Sequence, residues 1–318
     1  MRNTKIFVLA SCLVAIFLIF DSSYVVYDYP GTAYTTSSQL QLSTETPLSS
    51  ILSRVVVSKM FQDKSWIDGN NTPQSIGESL AALHPTLVSE LIRIGNTTKF
   101  TSQMVNDYNI VRNIVLSSNP GVKFDIIIST QGYSTSAQIV NQMKYILSTI
   151  PIDIFVLDFL TQGEAQVPQI VQAAINYAHS QGKLITGHVT NASSVPPGLD
   201  YVEPETSGNL SLNYQLMNQL NHSYPDLPVL VEINQNPQTN GTSNYLGGFS
   251  ASCYFIQEMS TQQRIDYVTS LAKNQSDYHY TYEYNVFFPT CPADSAYNPL
   301  ADGNMLQVIL QLMNEYNP

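Results

Sequence analysis

Charge is what this chain has least of. Asp, Glu, Lys and Arg make up only 12% of its 318 residues, against about a quarter in an ordinary soluble domain. Its polar surface must therefore come from Ser, Thr, Asn, Gln and Tyr. Such a surface suits an extracellular protein whose solubility changes little with pH. Positive charge is scarcest: 13 Lys and Arg stand against 24 Asp and Glu, for a net charge of -11. With no basic patch to neutralise phosphates, nucleic acid is excluded as a partner. Several short motifs are also missing. No Gly-rich turn follows the first strand at Val57, which argues against an open, doubly wound nucleotide fold. No His-x-His or His-Glu-x-x-His occurs, so no metal and no other cofactor is expected. Gly-x-Ser-x-Gly is absent, which removes the usual serine nucleophile.

Cysteine is sparse, with three in the whole chain. Cys12 sits inside an apolar leader and is given no role. In an oxidising compartment the other two, Cys253 and Cys291, are expected to pair; two free buried thiols are the alternative. The leader itself has Arg2 and Lys5 ahead of an apolar stretch at residues 6–20, closed by Asp21. A basic flank and a short apolar core read as a secretory signal, with a membrane anchor through residues 6–20 as the alternative. Residues 1–22 are thus a signal peptide or anchor, 23–50 a linker rich in Ser, Thr and Tyr, and 51–318 one domain. Sequons starting at Asn70, Asn96, Asn191, Asn209, Asn221, Asn240 and Asn274 permit a glycoprotein.

From Arg54 onward the pattern is regular. Val55-Val-Val57, residues 87–94 and Phe124-Asp-Ile-Ile-Ile128 read as the first three strands. Residues 152–158 (Ile-Asp-Ile-Phe-Val-Leu-Asp) form an almost unbroken apolar run ending in a carboxylate, the signature of a parallel strand buried on both faces. Residues 183–189, 201–205, 229–234 and 280–288 supply the fifth to eighth strands. Helical periodicity separates most of them. Thr72-Pro73 and Thr135-Ser-Ala-Gln138 are helix starts, and Gly182 is a C-terminal cap. About eight alternations in this length predict an α/β fold, a (βα)8 TIM barrel.

In such a barrel the C-terminal strand ends converge on one mouth. That places Lys59, Arg93, Gln131, Asp158, Glu164, His188, Glu203, Glu205, Glu232, Asn234, Glu283 and Tyr284 together, although acids are scarce elsewhere. Several carboxylates in a mouth suit glycoside hydrolysis, which needs one acid to protonate the leaving oxygen and another carboxylate to attack or to activate water. Asp158 is the candidate nucleophile or stabiliser. Glu205 is the candidate acid/base, with Glu232 its rival. Arg93 and His188 would orient these carboxylates or bind sugar hydroxyls. Lys59, Gln131, Asn234, Glu283 and Tyr284 are candidate binding residues, and Trp66 and Tyr133 candidate stacking platforms. Cys253 and Cys291 fall in neighbouring loops on the same face.

Residues 152–159 resemble the fourth strand of several (βα)8 glycoside hydrolase families, in which an apolar strand ends in a catalytic Asp, here Asp158. Glu232 is similar in placement to the catalytic Glu on the seventh strand of other barrel glycosidases. The chain carries neither the Asn-Glu-Pro that often ends strand four nor the Asp-x-Asp-x-Glu of the chitinase-like families. The resemblance implies a carbohydrate substrate. A barrel that binds glycans without catalysis is the competing reading.

Overall fold

The computed structural model describes residues 46–58, 61–62, 72–89, 91–96, 98–158, 167–189, 191–204, 210–233 and 281–287, residue 262, and parts of 307–315. Its strands are β1 (Val55–Ser58), β2 (Phe61–Gln62), β3 (Leu87–Ser89), β4 (Ile92–Ile94), β5 (Lys123–Ser129), β6 (Ile154–Asp158), β7 (Leu184–Val189), β8 (Glu203–Pro204), β9 (Leu230–Ile233) and β10 (Thr281–Phe287). Its helices are α1 (Leu48–Ile51), α2 (Pro73–Ala82), α3 (Ser102–Ser118), α4 (Ser136–Thr149), α5 (Val167–Ser180) and α6 (Leu210–Ser223).

The strands follow the order β8-β7-β6-β5-β3-β1-β10-β9, with β2 and β4 continuing the first and second positions. Every one of these pairings is parallel. A parallel bridge between Val202, beside β8, and Val229, beside β9, joins the two ends of that path. There Val202 N–H donates to the Pro228 carbonyl at 3.0 Å, and Leu230 N–H donates to the Val202 carbonyl at 2.9 Å. Parallel neighbours cannot be joined by a tight turn, so crossovers must be long, and helices fill them. The result is an α/β, TIM-like fold.

Local chemistry explains where the helices start. The Thr72 hydroxyl accepts from Ser75 N–H at the head of α2, with Pro73 in the first turn. Thr101 caps α3 in the same way. Thr135 and Gln138 form a reciprocal capping box on α4. Gly182 takes a φ of +64° just past α5, a conformation that costs a residue with a Cβ. Gly77 lets α2 lie close on α3: a Cβ there would meet the Ile114 side chain at 2.9 Å.

Successive residues of a strand point to opposite faces, and burial separates the two faces. One parity (Val56, Val88, Phe124, Ile126, Ile128, Phe155, Leu157 and Ile185) packs with the apolar stripes of the helices in one large core. The other parity lines the inside of the ring. Its floor is a second cluster of Val55, Leu87, Ile154, Tyr201 and Leu230, closed by Ile51 and Leu52. Residues 48–50, at the end of the stretch expected as linker, belong to α1, and Ile51 and Leu52 after them plug the bottom of the barrel; residues 1–45 lie outside the described residues. Above the floor the interior turns polar, with Ser89, Asp125, Thr186, Asp158 and Glu203 all buried.

The second strand position is broken. Leu87 is in register with Lys123, but Arg93 is in register with Ile127. Six steps of chain therefore pass opposite four, a bulge of two extra residues. Because two is an even number, Leu87 and Arg93 keep the same facing.

At the strand starts, ion pairs and backbone contacts hold the loops. Asp153 accepts from Phe124 N–H at 3.0 Å and lies 3.6 Å from Lys123. Asp200 accepts from Ile185 N–H at 2.7 Å and meets His179 Nε2, in the last turn of α5, at 3.1 Å. This hydrogen bond to Asp200, opposed by partial burial, raises the His179 pKa above its ordinary 6.5. The contact therefore stabilises the fold fully below that ordinary value and is lost as pH climbs through the raised one. His179→Gln is expected to lower the melting temperature slightly at about pH 6, and to match the parent at about pH 9. Melting curves across that range check it, and a difference that persists at the higher pH would rule out the charged contact.

Candidate active site

Four ionisable side chains meet at the C-terminal strand ends. Asp158 closes β6. On one side it forms an ion pair with Arg93 of β4, through Arg93 Nη2 and Asp158 Oδ2. On the other, His188 Nδ1 of β7 lies 3.2 Å from Asp158 Oδ1. The opposite ring nitrogen, His188 Nε2, lies 2.9 Å from Glu203 Oε2 of β8. Cation, carboxylate, imidazole and carboxylate thus follow one another round the wall from β4 to β8.

The sequence places each member by simple rules. β6 is apolar and buried throughout, so Asp158 is anchored by the run that precedes it. Its backbone is pinned as well: the Asp158 carbonyl accepts from Thr130 N–H at 3.1 Å and from Thr130 Oγ1 at 2.6 Å. Alternation from the floor residue Ile154 brings Asp158 inside, and from Leu184 it brings His188 inside. Glu203 follows Tyr201 by the same parity. Thr186 Oγ1 donates to the Tyr201 carbonyl at 2.8 Å and locks β7 to that segment.

The site is dry at its base. The Asp158 and Glu203 side chains are each 3% exposed, His188 13% and Arg93 27%. Carboxylates buried this deeply are tolerable only with charge partners and hydrogen bonds, and each here has a cation or an imidazole at contact distance.

Of the residues expected at the mouth, the structure brings together Arg93, Asp158, His188 and Glu203. Gln131 is exposed on the loop after β5. Tyr133, on the same loop, is 3% exposed and belongs to the outer apolar core, so it is a packing residue rather than a stacking platform. Its burial pushes the phenol pKa well up. Asn96 uses its side-chain amide to donate to the Gly132 carbonyl, which ties the loops after β4 and β5 together. Glu283 and Tyr284 are in register with Val55 and Val56 of β1, with three further β10 residues beyond them. Glu232 is opposite Glu283 in β9. Lys59, Trp66, Glu164, Glu205, Asn234, Cys253 and Cys291 lie outside the described residues.

Glu203 was the member hardest to single out from sequence. The alternation Tyr201-x-Glu203 puts both on one face, and that parity was the available signal. Among the described residues no group of three or more His, Cys, Asp and Glu is arranged to hold a metal ion. No described helix is long and apolar enough to cross a membrane.

No protein-family model matches the sequence, and no curated protein does. Solved structures with a related outline include an endo-β-N-acetylglucosaminidase from Cordyceps militaris, 13% identical, with a TM-score of 0.49 over 87% of this chain and 98% of that one. A class V chitinase mutant from Cycas revoluta is 12% identical, with a TM-score of 0.47 over 82% of this chain and 99% of that one. An aldolase from Escherichia coli K12 is 12% identical, with a TM-score of 0.39 over 84% of this chain and 90% of that one. Likeness of this degree spans unrelated chemistries, so the reaction has to be argued from the side chains themselves.

Proposed function

We propose that the chain is an exported, glycoside hydrolase-like barrel that acts on a carbohydrate, with Asp158 as the ionised carboxylate of a two-carboxylate mechanism. The observation that carries this reading is the convergence of Arg93, Asp158, His188 and Glu203 from four strands on one barrel mouth. Glycoside cleavage passes through a transition state with positive charge on the sugar ring. A fixed carboxylate in a poorly hydrated site stabilises such charge more than it would in water. Asp158 suits that stabilising role better than the role of acid, because Arg93 and His188 flank it on both sides. The proton donor would be Glu205, two residues beyond Glu203, or Glu232. Export follows from the basic and apolar leader, and pairing of Cys253 with Cys291 belongs to the same proposal.

One observation favours the competing reading, a barrel that binds glycans without cleaving them: both Asp158 oxygens already face cationic or imidazole partners. A panel of polysaccharides and chromogenic glycosides separates the two readings. We expect turnover by the parent chain and a loss of about 100-fold or more in Asp158→Asn, the scale seen when one transition-state-stabilising group is removed. Glu205→Gln or Glu232→Gln should fall comparably. An active parent with none of the three reduced by more than a few-fold would move the site elsewhere. Glycan binding without turnover would leave the binding barrel.

A further inference from the structure

We propose that His188 stands at neutral pH as a doubly protonated imidazolium between Asp158 and Glu203, serving as a positioning residue for the Asp158 carboxylate. Each ring nitrogen lies within hydrogen-bond distance of a carboxylate oxygen, at 3.2 Å and 2.9 Å, and the two carboxylates come from different strands. A neutral imidazole has one N–H and one lone pair. Whichever nitrogen carried the lone pair would point it at an anionic oxygen. A second proton makes both contacts attractive. That proton belongs on nitrogen rather than on a carboxyl, because imidazole is ordinarily the stronger base by about two pKa units.

The charge inventory agrees. Arg93 of β4, Asp158 of β6, His188 of β7 and Glu203 of β8 then alternate in sign and sum to zero. Without the ring proton, two carboxylates that are each 3% exposed would share, among the described residues, one guanidinium that is itself partly open to solvent. Asp125 of β5, a further buried acid in the same interior, adds to the demand for positive charge. Glu203 thereby gains a role of its own: it holds the ring in the charged form, and the ring with Arg93 fixes Asp158 from both sides. Only the use of that fixed carboxylate rests on the hydrolase reading; the protonation state does not.

Nitrogen NMR of the chain carrying ¹⁵N-labelled histidine tests this without any substrate. His188→Gln assigns the signal among the five histidines. At about pH 8 an ordinary histidine has lost nearly all of its second proton. We expect both His188 nitrogens to remain protonated there in the parent chain, and Glu203→Gln to leave only one protonated. A neutral, singly protonated ring in the parent at that pH overturns the proposal. Should Glu203→Gln fail to fold, the parent spectrum alone decides. A doubly protonated ring in a chain that cleaves no glycoside leaves this inference standing and removes the hydrolase; a neutral ring in an active chain does the reverse.

Discussion

Asp158→Ala is expected to destabilise the fold by about 3–5 kcal/mol, the usual result of removing one partner from a buried ion pair. The reason lies in what stays behind. Arg93 and His188 keep their positions at the strand ends and lose the anion between them. The lower half of the range is the better expectation, because Arg93 is 27% exposed and can turn towards water. Thr130 would keep its hold, since its backbone and hydroxyl both bond the Asp158 backbone carbonyl, which Ala retains. Denaturant unfolding measures the loss. The double variant Arg93→Met with Asp158→Leu is the informative control. Replacing both charges with apolar groups of similar size often recovers stability, so it should unfold later than Asp158→Ala alone. If Asp158→Ala costs less than about 0.5 kcal/mol, within the range of ordinary surface changes, the charged chain at the mouth is not formed in solution.

Leu52→Ala is expected to cost about 2–5 kcal/mol, and Leu52→Asp considerably more, because an unpaired carboxylate would be buried. Leu52 is 2% exposed and lies against the floor residues of the strands. Its neighbours come from opposite sides of the ring, so little rearrangement can fill the space it leaves. Leu48, one helical turn earlier and only partly buried, serves as the comparison. Leu48→Ala should cost clearly less. Equal, small losses at both positions would mean that the segment before β1 is a tether rather than part of the barrel.

These two positions also mark what could be read without coordinates. The runs at Val55-Val-Val57, Phe124-Asp-Ile-Ile-Ile128 and residues 152–158 announced buried parallel strands, because both faces were apolar. Thr72-Pro73 and Thr135 with Gln138 announced helix starts through local hydrogen bonding alone. Asp158 and His188 stood out as polar ends to apolar runs. Leu52 gave no such signal: it follows a Ser- and Thr-rich stretch, and its burial comes from strands far along the chain. Glu203 was obscured because its strand is two residues long and ends in proline. Glu283 and Tyr284 lie within β10, which runs on through Asn285, Val286 and Phe287, so the strand's own pattern does not say how high they stand. Position along a strand depends on register, and register is set by neighbours, not by the strand's own pattern.

The two surplus residues between Leu87 and Arg93 limit how this segment can change in length. Deleting one of them would rotate the guanidinium from the lumen to the helix-facing side, stripping Asp158 of its counter-charge although every functional side chain was still encoded. Deleting both would restore the facing and leave the arginine four steps past Leu87, still opposite Ile127, with the bulge removed. Variation by insertion or loss is therefore tolerable here only in pairs.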